Sequence, residues 1–105
     1  MDAQLKKGML DGCVLAILNR KDSYGYELTQ DAKKILDVSE SSLYPVLRRL
    51  EASGQMTTYD VPYNGRLRRY YKLTDVGRMR LIEFRRDLED TKQVIDFIME
   101  EGPQG

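Results

Sequence analysis

Apolar residues recur at helical spacing over three stretches, alternate over two short ones, and return to helical spacing near the end of the chain. The first stretch runs roughly from Gln4 to Asn19. Leu5, Met9, Cys13, Ala16 and Ile17 mark one stripe, and Leu10, Val14, Leu15 and Leu18 widen it until the helix is apolar nearly all round. Such a helix is buried on more than one side. In so small a chain, the second side is expected to meet another subunit. The second stretch runs from Ser23 to Leu36, with Ser23 placed as N-cap and Tyr24, Leu28, Ala32, Ile35 and Leu36 as the core stripe. Lys33 and Lys34 suit its C-terminal end. The third begins between Ser39 and Ser42 and runs to about Ser53. Pro45 has no N–H and sits best in a first turn, which favours a start near Ser41 or Ser42. Gly54 is the expected closing glycine. Leu43, Val46, Leu47 and Leu50 fall on one face. Ser41, Pro45 and Arg48 fall opposite, flanked by Tyr44 and Arg49, and no acid lies among them.

Gln55 to Pro62 and Arg66 to Leu73 read as two strands joined through Tyr63-Asn64-Gly65. Asn-Gly favours a type I′ turn because both central residues need positive φ. Tyr70 and Tyr71 alternate faces, so at least one belongs to the core. The last helix starts after Thr74, a good N-cap, and runs to about Glu101, where Gly102-Pro103 stops it. Leu81, Phe84, Leu88, Thr91, Ile95 and Ile98 step by three and four, an a/d seam. A helix of about 27 residues spans about 40 Å. That outreaches a core built from the rest of the chain, so its end protrudes and its seam needs a partner. The expected architecture is mainly α with a small β-hairpin. It comprises a winged helix-turn-helix over residues 1–73, a dimerisation helix over 74–101 and a disordered tail over 102–105.

Composition removes much chemistry. The 105 residues contain no histidine and one cysteine. That excludes an imidazole base, a Ser-His-Asp triad, a Cys-His pair, an internal disulfide and any His-ligated metal. No carboxylate pair, phosphate loop or nucleophile motif is visible, so an enzyme is not expected, nor a cofactor or metal. Cys13 lies in an apolar run and reads as a free thiol in a reducing compartment. No run approaches the length of a membrane span, and no cleavage-site pattern follows the start. A cytoplasmic protein with no membrane partner is expected.

The net charge is zero, but the signs are sorted. Arg66 to Arg86 carries eight cations against two acids, net +6, and Asp87 to Gly105 carries one cation against six acids, net −5. A localised basic patch is the electrostatic footprint of a phosphate-backbone binder. Three helices followed by a hairpin is the winged helix-turn-helix order. The third helix would enter the major groove, with Arg48 the leading base reader. Arg66 and Arg68, on one face of the wing, would reach phosphates or the minor groove. Arg49 is expected to brace Glu51, Asp60 or the phosphate backbone.

The strings GMLDGCVLAIL (8–18), YGYEL (24–28), SSLYPVLRRLEASG (41–54) and GRLRRYYKLTDVGR (65–78) resemble the PadR family of transcriptional regulators, in its short-C-terminal-helix branch. The resemblance implies a homodimeric winged-helix repressor in a bacterium, binding double-stranded DNA at a palindromic operator. In some members a small aromatic effector relieves repression. It implies operator contacts from Tyr24, Ser41, Ser42, Tyr44 and Arg48, and from Gly65, Arg66, Arg68 and Arg69 in the wing. Ser39 and Arg49 complete the candidate DNA-binding set. Dimerisation by the last helix with the first would use Leu5, Met9, Cys13, Leu81, Phe84, Leu88, Thr91, Ile95 and Ile98. Some short-branch members sandwich flat drugs on a tryptophan of the last helix. This chain has none, leaving Phe84, Phe97 or a tyrosine for that place. Leu67 stands where members often carry a proline. A winged-helix protein-interaction module without DNA binding is the competing reading.

Overall fold

A computed structural model describes residues 3–102. Helix α1 covers Ala3–Arg20, strand β1 Ser23–Tyr24, α2 Gly25–Ile35, α3 Glu40–Ala52, β2 Met56–Tyr63, β3 Arg66–Leu73 and α4 Asp75–Met99. The strands form one antiparallel sheet in the order β1-β3-β2. The tail expected at 102–105 lies, beyond Gly102, outside the described residues.

The core is built on α1. Its Leu10, Val14, Leu15, Ile17 and Leu18 are buried against Leu28 and Ala32 of α2, the four predicted leucine and valine positions of α3, Met56, Leu73 and Leu81. Helix α3 starts earlier than its proline suggests. Ser39 is the cap, its Oγ accepting from the Ser42 N–H at 3.2 Å, and Pro45 falls in the second turn. The Ser39 cap sets the start one turn earlier than the proline preference, and Pro45 there both lacks an N–H bond and crowds the preceding turn with its ring. At the other end Gly54 takes φ +76°. The Gln55 N–H donates to the Leu50 carbonyl and the Gly54 N–H to that of Glu51. This double closure is the Schellman arrangement, which turns the chain sharply into β2. Asn64 and Gly65, at φ 49° and 75°, make the two-residue turn of the hairpin.

Three expectations are corrected. Ser23 does not cap α2. It is fully buried in β1, paired with Tyr71, and α2 starts at Gly25 with no side-chain cap. The hairpin alone satisfies only one side of β3, and Ser23–Tyr24 fills the other, a pairing of distant segments that local spacing does not encode. Ile35, expected in the core, is 60% exposed because α2 ends there and Leu36 turns inward instead. Leu81, placed in the partner seam, is 3% exposed within the chain's own core.

The root of α4 is held by two close approaches. A Cβ built on Gly77 would lie 2.0 Å from the Gln55 carbonyl oxygen, and one on Gly12 would lie 2.2 Å from the Phe84 ring. Thr74 caps α4, its Oγ1 accepting from the Gly77 N–H at 3.0 Å while its hydroxyl donates to the Gly54 carbonyl. Beyond Phe84 the helix leaves the body, which is why the molecule measures 69 × 26 × 20 Å. Gly77→Ala forces a methyl against the Gln55 backbone carbonyl. It is expected to cost about 2 kcal/mol and lower the melting temperature by about 10 °C in thermal unfolding.

Candidate nucleic-acid interface

Helix α3 presents Ser41, Tyr44, Pro45 and Arg48 to solvent, while Leu43, Val46, Leu47 and Leu50 anchor it. The exposed face carries a phenol, a hydroxyl and a guanidinium, and the Arg48 side chain makes no ion pair or hydrogen bond among the described residues. The three serines are partly occupied with one another. Ser39 Oγ lies 2.9 Å from Ser41 Oγ and 3.0 Å from Ser42 Oγ, so Ser39 orders the first turn that displays the others. The turn before it is braced by the Lys33–Glu40 pair at 3.6 Å and by Lys6, which donates to the Asp37 carbonyl.

Arg49 departs from expectation. Its guanidinium grips Asp11 of α1 in a two-pronged contact at 2.6 and 2.8 Å, not Glu51 or Asp60. The hydrogen bond to Asp11 holds its pKa above the ordinary arginine range. Planar forks match carboxylates bidentately, and Asp11 is one helix away in space though 38 positions away in sequence. Asp11 is the partner that sequence reasoning missed. Its one signal was an acid interrupting an otherwise apolar run. Glu51 instead accepts from Thr58 Oγ1 at 3.2 Å, joining α3 to the inner face of the sheet.

Strand alternation divides the wing. Paired residues share a face, so Tyr59, Val61, Tyr63, Arg66, Arg68 and Tyr70 lie together with Tyr24 on the outer face. Thr58, Asp60, Arg69 and Tyr71 lie on the inner one. Tyr71 is the half-buried core member, its phenol pKa raised chiefly by burial. Arg69 pairs with Asp60 at 3.8 Å. The Arg66 side chain, like that of Arg48, has no ion pair or hydrogen bond among the described residues. A cleft of about 690 Å³ between the start of α2 and the wing tip gathers Tyr24, Tyr26, Tyr63, Asn64, Arg66 and Arg68. The structure thus brings Tyr24 to Arg66 and Arg68, and sets Arg69 on the other side of the ribbon.

On the outer face Tyr59 and Tyr70 stack, with centroids 5.5 Å apart and 10° between planes, and Tyr24 meets Tyr70 edge-on at 5.7 Å. The Tyr59 hydroxyl donates to Asp22 Oδ2 at 2.6 Å, tying the wing to the loop after α1. That bond, with a smaller part from desolvation, pushes the Tyr59 phenol up to about 12.

Residues 14–83 match the model of the transcriptional regulator PadR-like family, which is more than half of the chain. The chain belongs to the PadR-like family of transcriptional regulators. It is 34% identical over 100 residues to an uncharacterised protein of Lysinibacillus sphaericus, covering 90% of this chain and 91% of that one. To a transcriptional regulator of Mycobacterium tuberculosis it is 43% identical over 68 residues, 64% of each chain. Among solved structures, a PadR-like transcriptional regulator from Bacillus cereus superposes with a TM-score of 0.85 at 31% identity, over 95% of this chain and all (100%) of that one. PadR-like proteins are transcriptional regulators and not enzymes, and DNA is their partner. Among the described residues no cluster could hold a metal ion, and no helix is long and apolar enough to cross a membrane.

Replacing Arg66 with Ala should weaken duplex binding on every sequence and lower the log–log salt slope by about 0.9 in anisotropy titrations. Arg48→Ala should instead relax preference at one base position by about 1–3 kcal/mol. The raised phenol of Tyr59 favours the neutral form in the folded state, so its stabilisation is complete below pH 10 and lost as pH rises towards about 12. Urea unfolding between those limits should fall more steeply in the unmodified protein than in Tyr59→Phe.

Proposed function

We propose that this regulator is a homodimer that represses transcription by covering a palindromic operator. One observation carries the reading. Past its root, α4 leaves the body with Leu88, Val94, Ile95, Phe97, Ile98 and Met99 exposed, and Leu5 of α1 is 55% exposed. Scattered apolar residues on a surface need no explanation, but a row along one projecting helix does. A second copy supplies a matching row, and a two-fold pairing buries both at once. Of the dimer residues named from sequence, Leu88, Thr91, Ile95, Ile98 and Leu5 are exposed, and Met9 and Cys13 are half-buried. Burial raises the Cys13 thiol pKa, which suits packing and not redox chemistry. Leu81 serves the chain's own core, and Phe84, half-buried against Gly12, shapes the root of the rod.

Two copies so joined present two α3 helices and two wings. Such a pair reads half-sites about 34 Å apart, one turn of DNA. A planar aromatic ligand seated between the subunits relieves repression by favouring a dimer whose helix spacing no longer fits. Phe84 and Phe97 are the phenylalanines available to it, the first half-buried and the second 77% exposed.

Ile95→Asp puts a charge in the seam. Sedimentation should show the unmodified protein as a dimer and this variant as a monomer, with duplex affinity down about a hundredfold or more as bivalency is lost. A single-copy species for the unmodified protein at micromolar concentration sinks the reading. Selection of duplexes from a random pool should return inverted repeats. A thermal-shift screen of planar aromatics should return ligands that both raise the melting temperature and release the duplex.

A further inference from the structure

Beyond Tyr24 and its partner Tyr70, the wing is a ribbon of two strands with no third neighbour. A two-stranded ribbon holds its own shape poorly in water. Something must set its angle to the body. Arg68 sits where that is done. Its guanidinium carbon lies 4.0 Å from the centroid of the Tyr24 ring and 3.5 Å from that of Tyr63. The strand order β1-β3-β2 puts those rings on opposite sides of the strand that carries Arg68. One side chain therefore spans all three strands, tying the tip-proximal residue Tyr63 to the edge strand that leads into α2.

We propose that Arg68 is a positioning residue, a cation–π clip that fixes the wing against the start of α2, and that Arg66 is the wing's contact to the DNA backbone. The two arginines share a face yet differ in surroundings. Arg68 is half-buried and engaged by two aromatic faces, whereas Arg66 is exposed, at the turn. Tyr59, stacked on Tyr70 and bonded to Asp22, secures the ribbon's base, and the clip carries that order one step further outward. Holding the tip in place before binding removes an ordering cost that would otherwise be charged against affinity. The planar guanidinium is needed, because lysine keeps the charge but presents no plane to stack.

This inference rests on the DNA-binding reading, and its test separates the two. Anisotropy with a mixed-sequence synthetic duplex, titrated with salt, is run on the full chain and on Arg66→Ala, Arg68→Ala, Arg68→Lys, Tyr63→Ala and Tyr63→Phe. Amide exchange of residues 59–70 is followed in the same set. Arg68→Ala, Arg68→Lys and Tyr63→Ala should each lose affinity by about five- to tenfold, from one or two cation–π contacts. Their salt slope should be unchanged and ribbon exchange faster. Tyr63→Phe, which keeps the ring, should restore slow exchange and most of the affinity. Arg66→Ala should lower the slope by about 0.9 with exchange unaltered. The clip is overturned if Arg68→Lys binds and exchanges like the unmodified protein, or if Arg68→Ala lowers the slope as Arg66→Ala does. No duplex binding by the unmodified protein at low salt overturns the DNA reading. The clip then stands or falls on the exchange data alone.

Discussion

The contact of α4's root with α1 and with the turn before the wing governs the rest of the molecule. Gly12 lets Phe84 lie against α1, and Gly77 lets the first turn of α4 meet the Gln55 carbonyl. Each glycine is there because a side chain would occupy space already held by another group. These two approaches make a helix of 25 residues and the winged body a single object. A lever is only useful if its base is fixed. Here the base is fixed by packing around Leu81, which joins the rod to the same core that anchors α3.

Helix α3 and the wing are short elements that could not hold their positions alone. Helix α3 is fixed by four buried side chains, a serine cap and a Schellman closure. Arg49 adds a bidentate pair to α1. Both side chains are partly exposed, at 51% and 31%, so the pair is worth about 1 kcal/mol or less and serves orientation more than stability. The wing is secured by aromatic rings instead of a core. Its outer face carries Tyr24, Tyr59, Tyr63 and Tyr70, and two of these rings hold an arginine. The signs of charge follow the same division of labour, cations at the hairpin and the base of α4, acids along its tip.

Local signals reported local structure well. Asn64-Gly65, Gly54 and Thr74 each dictate a backbone geometry through their own φ preference or hydroxyl, and each is found in that role. The apolar face of α3 was legible because four residues at helical spacing admit one arrangement. The pairing of Ser23–Tyr24 with β3 was not legible, nor was the grip of Arg49 on Asp11. Both join segments far apart in sequence, and nothing in either segment's own pattern names its partner. Serine before a helical stretch reads as a cap, yet here the demand of β3 for a second hydrogen-bonding neighbour took it into a strand.

By itself, the sequence determined the order of the four helices and the hairpin, the mainly helical class, the sorting of charge and the family, since periodicity, turn chemistry and motif order are properties of a linear string. Tertiary structure alone decided which of two arginines on one strand face stacks on tyrosines, which apolar residues of α4 belong to the core, and where Arg49 points. Those outcomes depend on what lies across a few ångströms of space, and such neighbours come from helices and strands that only folding brings together.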